Sequence, residues 1–238
     1  MFYKGPCDLY TFPMRHYPLF LDLTPCRCLV VGAGGVGRRK LAGLLACNPA
    51  HVLVLETREP DAELAALLEH PAAELALRPF HENDVLGRAL VFAATGSRDV
   101  NATVAEACRR NGIPCNCIDD PTAGSFIVPA HFTCGDIVVA LSTGGHSPAL
   151  ARRIRMDMEA WLGTRYAKLA TLMGRIRPLV LALGRETGQN TTLFRALVES
   201  PLADALEKAD RAHCETLLHD LLPRELHPHI MELLHDLA

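Results

Sequence analysis

Val30-Val31-Gly32-Ala33-Gly34-Gly35-Val36-Gly37-Arg38-Arg39-Lys40 is the stretch on which the fold turns. It is a complete G-x-G-x-x-G. It follows an apolar run, Cys28-Leu29-Val30-Val31, and opens a segment with helical spacing at Val36, Leu41, Leu44 and Leu45. Strand, tight turn and helix in that order are the setting a dinucleotide needs. Gly32 suits the turn, Gly34 lets the backbone approach a pyrophosphate, and Gly37 lets the helix pack close to the strand. Gly35 and Val36 fall in the first helical turn, whose N–H groups have no intrahelical partner and attract an anion. Glu56 ends the next apolar run, His51-Val52-Leu53-Val54-Leu55. A carboxylate there meets the adenosine ribose hydroxyls and favours NAD over NADP. Arg58 keeps a 2′-phosphate acceptor open, and a glycine-rich turn with no ligand is the plainer alternative.

The bulk composition narrows the class. Of 238 residues, 49% are hydrophobic and 21% charged, as in a water-soluble globular protein. A formal net charge of −3 implies no general attraction to nucleic acid or to an anionic membrane. No apolar run approaches the roughly 18–20 residues that span a bilayer. The start, Met1-Phe2-Tyr3-Lys4-Gly5-Pro6-Cys7-Asp8, lacks the regions of a signal peptide, so a cytoplasmic protein is expected. The nine cysteines lie scattered in apolar segments. Cys26/Cys28 and Cys115/Cys117 are C-x-C pairs on expected strands, where i and i+2 share a face. With no C-x-x-C and no second half-site, reduced thiols packing as small hydrophobes are expected, and no metal site.

Strands and helices alternate along the first half. Strands are expected at 27–32, 51–56, 74–79, 89–94 and 114–118, and helices at 35–47, 61–70 and 99–111. Short, nearly all-apolar strands need cover on both faces, which predicts a doubly wound parallel α/β sheet. After Asp120-Pro121 the pattern changes. Phe126-Ile127-Val128-Pro129 and Asp136–Leu141 read as antiparallel strands, with Ser147 as N-cap and Pro148 as first residue of a helix whose apolar stripe is Leu150, Ile154, Met158 and Trp161. From 165 onward the signals are helical, with breaks expected at Gly184, Gly188, Pro201, Pro223 and Pro228. The resulting division is a nucleotide-binding domain at 1–122, a small α+β dimerisation region at 123–163 and a helical domain at 164–238.

Ligands of open α/β sheets bind at the carboxyl ends of the strands. Three motifs fall there: the glycine loop, Ala94-Thr95-Gly96-Ser97 with Asn101 at the start of the next helix, and Asn116-Cys117-Ile118-Asp119-Asp120-Pro121. Thr95 and Gly96 are cofactor candidates. Asp119 is a candidate general base near the nicotinamide end; the alternative is that Asp119 and Asp120 form an Asx-Pro turn.

In order along the chain stand Tyr17-Pro18-Leu19-Phe20, Val31-Gly-Ala-Gly-Gly-Val-Gly-Arg-Arg-Lys40, Ala94-Thr95 with Asn101, Asn116-x-x-Asp119, Phe126-x-x-Pro129, and Ser142-Thr143-Gly144-Gly145-His146-Ser147-Pro148. This set resembles the precorrin-2 dehydrogenase family, the Rossmann module of siroheme synthases, over about residues 14–165. The last motif is far more specific than the glycine loop. The family often has Ala where Gly37 stands. The resemblance implies NAD-dependent oxidation of precorrin-2 to sirohydrochlorin, with Asp119 in the acid–base role, and an interlocked homodimer. Some members also insert ferrous iron, so a bifunctional dehydrogenase and ferrochelatase is the alternative. An NAD(H)-sensing module without chemistry is the rival of another class, against which Asp119 and the 142–148 loop argue.

A polycarboxylate substrate needs local positive charge. Arg152, Arg153 and Arg155 are candidates for it, together with Asn116, Ser142, Thr143, Gly144 and His146. The plainer alternatives are a solvated face, with Arg155 paired to Glu159 at i+4, and an exposed loop histidine at 146. Arg38-Arg39-Lys40 is a weaker substrate candidate because it lies on the cofactor-binding helix. His213, His219, His227, His229 and His235 have no clear ligand spacing and read as surface residues.

Overall fold

The computed structural model describes residues 15–163 and 165–237. The signal-peptide reading of Met1–Asp8 falls outside the described residues. Contacts divide the chain into two compact units, one ending at Val128 and one beginning at Pro129.

The first unit alternates β1 (Arg27–Val31), α1 (Gly35–Leu45), β2 (His51–Glu56), α2 (Ala62–Leu68), β3 (Ala73–Leu77), β4 (Leu90–Ala93), α3 (Arg98–Arg110) and β5 (Cys115–Cys117). Every pairing is parallel, in the order β3-β2-β1-β4-β5. The apolar runs are explained by cover on both faces. Leu29, Val31, Leu53, Leu55, Val91 and Ala93 pack with Val104, Ala107 and Cys108 of α3. The alternating set Cys28, Val30, Val52, Val54, Leu90 and Phe92 packs with Leu41 and Leu44 of α1 and Leu64 of α2. Successive side chains on a strand point to opposite faces, so each strand feeds both cores.

The second unit contains an antiparallel pair, β6 (Ala130–Cys134) and β7 (Ile137–Leu141), in register from Ala130↔Leu141 to Cys134↔Ile137. α4 (Pro148–Leu162) follows, with the Ser147 side chain accepting from the Leu150 N–H at 3.2 Å and Pro148 at its start. Beyond it lie α5 (Arg165–Ala182), α6 (Thr187–Glu199), α7 (Leu202–Glu207), α8 (Arg211–Leu221) and α9 (Ile230–Leu233), around a core that includes Leu172, Ile176, Leu197, Leu206, Leu218 and Leu234.

Three expectations are corrected. Phe126–Pro129 is not a strand; the strand begins at Ala130. The Ser125 N–H donates to the Cys115 carbonyl at 2.8 Å, Asn116 Nδ2 donates to the Phe126 carbonyl at 3.0 Å, and the Phe126 ring meets Phe92 edge-on at 5.4 Å. The start of the segment is therefore tied to β5, and Pro129 has no N–H to give a ladder. The stripe expected on α4 is only half buried: Leu150 and Trp161 are 51% and 71% exposed, while Ala151 and Leu162 are buried. Gly188 does not break a helix but lies in the first turn of α6, where an N–H needs no intrahelical acceptor. Gly184, at φ +64, does follow the end of α5.

Among the described residues no helix is long and apolar enough to cross a membrane. Nor is any group of three or more His, Cys, Asp or Glu placed to hold a metal ion. The eight described cysteines are free thiols.

Candidate dinucleotide cleft and adjoining carboxylate

β1 and β4 are neighbours in the sheet although α1, β2, α2 and β3 separate them in the chain. The strand order reverses between them, which opens a crevice at their carboxyl ends. The loops after both strands meet there. Gly32 has φ +90, and a Cβ on it would come within 2.7 Å of the Thr95 backbone. A Cβ on Gly37 would run into the Gly32 carbonyl. These two glycines are therefore demanded by the chain's own packing. Gly34 is different: its backbone is extended, and a Cβ there would meet nothing of the protein within 4 Å.

Gly34 is also the N-cap of α1, with no side chain capping the helix and no acid in its first turn. Gly35, Val36 and Gly37 supply the first-turn N–H groups, and the helix dipole adds partial positive charge. Glu56, at the end of β2, is bound into the loop. Its Oε2 accepts from the Ala33 N–H at 2.9 Å and its Oε1 from the Thr57 N–H at 2.8 Å. Burial pushes the carboxyl's pKa up, but the Ala33, Thr57 and Arg58 N–H groups and the Arg58 charge outweigh it and hold the pKa below the ordinary value. Oε1 also accepts from the Thr57 hydroxyl at 3.4 Å and the Arg58 N–H at 3.3 Å, so it is Oε2 that keeps a lone pair for a further donor. Gly32, Gly34, Glu56, Arg58, Thr95 and Gly96 line a cleft of about 540 Å³.

Asp119 follows β5 and is not part of that lining. A single buried amide joins it to the cleft. Asn101, in α3, is fully buried. Its carbonyl oxygen lies 3.0 Å from the Thr95 N–H and 2.7 Å from the Thr95 hydroxyl, and its Nδ2 donates to the Thr95 carbonyl at 3.1 Å and to Asp119 Oδ1 at 2.9 Å. The Cys117 thiol donates to the same Oδ1 at 3.2 Å. Some desolvation raises the Asp119 pKa, but the Cys117 and Asn101 bonds, helped by Arg98, outweigh it and hold the carboxyl below the usual range. Asp120 takes the turn instead. Its Oδ1 accepts from the Thr122 N–H at 2.9 Å, the Thr122 hydroxyl at 2.6 Å and the Ala123 N–H at 3.3 Å. The two readings of the aspartate pair thus divide between adjacent residues.

The remaining candidates have local partners. Asn116 holds the Phe126 carbonyl. In the second unit, the Ser142 hydroxyl accepts from the Gly144 N–H at 3.1 Å, and Thr143 Oγ1 bonds to the Ser147 backbone at 3.0 and 3.2 Å. His146 is exposed. Arg153 pairs with Asp157 at 2.9 Å and Arg155 with Glu159 at 2.5 Å, while Arg152 is exposed. Arg38 pairs with Asp61 and Glu63, and Lys40 lies over the Phe92 ring at 5.7 Å, so local packing accounts for both. Sequence reasoning placed Asn101 in a ligand-end motif and read Cys117 as a packing thiol, but joined neither to Asp119. The signals were present: a polar residue on the inward face of α3, and an i, i+2 spacing that puts thiol and carboxylate on one side of the chain.

A family model described as NAD(P)-binding matches residues 19–130. The siroheme synthase of Pseudomonas entomophila strain L48 is 37% identical over 205 residues, covering 86% of this chain and 44% of that protein. The siroheme synthase of Methylococcus capsulatus strain Bath is 37% identical over 191 residues, covering 80% and 40%. The chain therefore spans less than half the length of these curated relatives. The solved structure of SirC, precorrin-2 dehydrogenase, matches with a TM-score of 0.71 and 23% identity, over 87% of this chain and 98% of that one. At that identity the match speaks to the fold.

Proposed function

We propose that this chain, which is similar to siroheme synthases and matches an NAD(P)-binding family model over residues 19–130, oxidises precorrin-2 to sirohydrochlorin with NAD. The observation that carries the reading is the bond from Asn101 to both Thr95 in the cleft and Asp119 beside it. A dinucleotide site and a carboxylate base are what a dehydrogenation requires.

The residues present fit the cofactor. The first-turn N–H groups of Gly35, Val36 and Gly37 would hold the pyrophosphate over the open face of Gly34. Glu56 would accept from the ribose hydroxyls, and Gly32, Thr95 and Gly96 would border the dinucleotide. When bound, NAD supplies the hydride acceptor. The chain's own part is the proton: Asp119, ionised at neutral pH, takes it from the substrate carbon as the hydride leaves. Asn116 with Ser142, Thr143, Gly144 and His146 is assigned to substrate contact. Arg152, Arg153 and Arg155 would meet its carboxylates, Arg152 first because the other two already have acidic partners.

The same reading makes the protein a cytoplasmic homodimer, with domains at 1–122, 123–163 and 164–238. In its favour, the β6–β7 pair has open edges and α4 exposes Leu150, Met156 and Trp161. Sedimentation should give a dimer at micromolar concentration, and a monomer would remove that part. The decisive experiment is anaerobic incubation with precorrin-2 and NAD⁺, followed by absorbance. Appearance of sirohydrochlorin is the expected result; unchanged precorrin-2 with bound NAD⁺ would leave a binding module. Subsequent addition of Fe²⁺ reads chelation in the same cuvette.

A further inference from the structure

We propose that Asn101 and Cys117 are positioning residues, a pair of donors that fix Asp119 through its Oδ1 and reserve the second oxygen for the proton. The proposal rests on the dehydrogenase reading for its chemical purpose, but the clamp itself stands on geometry.

Both side-chain donors converge on one oxygen, Asn101 Nδ2 at 2.9 Å and Cys117 Sγ at 3.2 Å. The orientation of the Asn101 amide is not arbitrary. Its oxygen faces the Thr95 N–H, a donor, and its nitrogen faces the Thr95 carbonyl, an acceptor, so a flipped amide would oppose like to like at both points. With four polar contacts and no exposed surface, the amide is fully used. An aspartate in its place would set oxygen against the Thr95 carbonyl and against the Asp119 carboxylate. The other donor is equally constrained. Burial, and then the bond to Asp119, push the Cys117 thiol up to about 11, so it remains a protonated donor throughout the neutral range.

The consequence is a carboxylate that is oriented and kept ionised, since hydrogen bonds to the charged form favour it. Arg98 at the start of α3 adds a favourable charge, while Asp120 turns its carboxylate into its own loop. Because Asn101 also holds the backbone of Thr95, order in the cleft loop and the placement of the base depend on one side chain. In the step proposed above, the proton leaving the substrate carbon binds Asp119 Oδ2 while the hydride goes to the nicotinamide; Oδ1 keeps its two donors throughout.

The test reads Asp119 directly. Its carboxyl carbon is titrated by NMR in the wild-type chain, Cys117→Ala, Cys117→Ser and Asn101→Asp. In Cys117→Ala the pKa should rise by roughly half a unit or more, and the acid limb of kcat/KM should move to higher pH by the same amount. NAD⁺ affinity should stay within about twofold, because the Cys117 thiol bonds to Asp119 while Asn101 holds the cleft loop. Cys117→Ser, which retains a donor, should move both values back toward the wild type. Asn101→Asp should raise the pKa more and weaken NAD⁺ binding as well, through Thr95; if it does not fold, the two Cys117 variants decide alone. An Asp119 pKa that is the same in wild type and Cys117→Ala overturns the clamp, whatever the turnover. A shifted pKa in a protein that never oxidises precorrin-2 supports the clamp and removes the functional reading instead.

Discussion

The protein has two glycine-rich loops that run into helices, and they are built in opposite ways. The loop ahead of α1 ends on Gly34, which gives the helix no side-chain cap. The loop ahead of α4 ends on Ser147, whose hydroxyl caps the helix while Ser142 and Thr143 bond the rest of the turn. The first leaves its donors for something other than protein. In the second, Thr143 and Ser147 bond their own turn, while Ser142, His146 and Arg152 are exposed. A helix N-terminus becomes an anion site only where the chain declines to cap it.

The largest expected effect breaks the comparison at Gly34. A side chain there meets open space in the protein, so Gly34→Asp should abolish NAD⁺ binding by calorimetry while circular dichroism and oligomeric state stay unchanged. Retained affinity would mean that the dinucleotide lies elsewhere. Next in size is the contrast between the neighbouring aspartates. Asp119→Ala should lose dehydrogenation by about 10²–10⁴ with normal NAD⁺ binding, and Asp120→Ala, which removes a turn acceptor, much less. Equal activity of the two would transfer the base role, with His146 the next to substitute. The pH dependence has a definite sign: a carboxylate held below its ordinary pKa stays ionised above that value, so activity should persist through neutral pH and fall as acid protonates Asp119.

A smaller effect is cofactor choice. Glu56 should make NAD⁺ preferred over NADP⁺ by at least about tenfold, ~1.4 kcal/mol. Equal kcat/KM with both would credit Arg58, which also lines the cleft. The smallest lies in the second loop. Ser147→Ala should cost about 1 kcal/mol in denaturant unfolding with NAD⁺ affinity untouched. A rise in KM for precorrin-2 beyond that cost would show that the capped loop works as a binding site after all.

Legibility differed between the two halves for a physical reason. Strands β1, β2 and β4 are buried on both faces, so their composition is unmistakable, and the Gly32 turn announces itself because no other residue adopts φ +90 beside the Thr95 backbone without strain. Phe126–Pro129 misled because Phe126 packs on Phe92 while Val128 is exposed, and the segment forms no ladder. The α4 stripe misled because periodicity reports which residues share a face, not whether one copy of the chain covers that face.

The sequence by itself determined the doubly wound sheet, the glycine turn, the acid at the end of β2 and the aspartate after β5, since each follows from local pattern and the periods of strand and helix. Tertiary structure alone decided that Asn101 links Thr95 to Asp119, whereas the Cys117–Asp119 and Asp120–Thr122 contacts span two residues and were open to local reading. Hydrogen bonds between residues 6 and 18 positions apart depend on how α3 lies against β4 and β5, and no one-dimensional period encodes that.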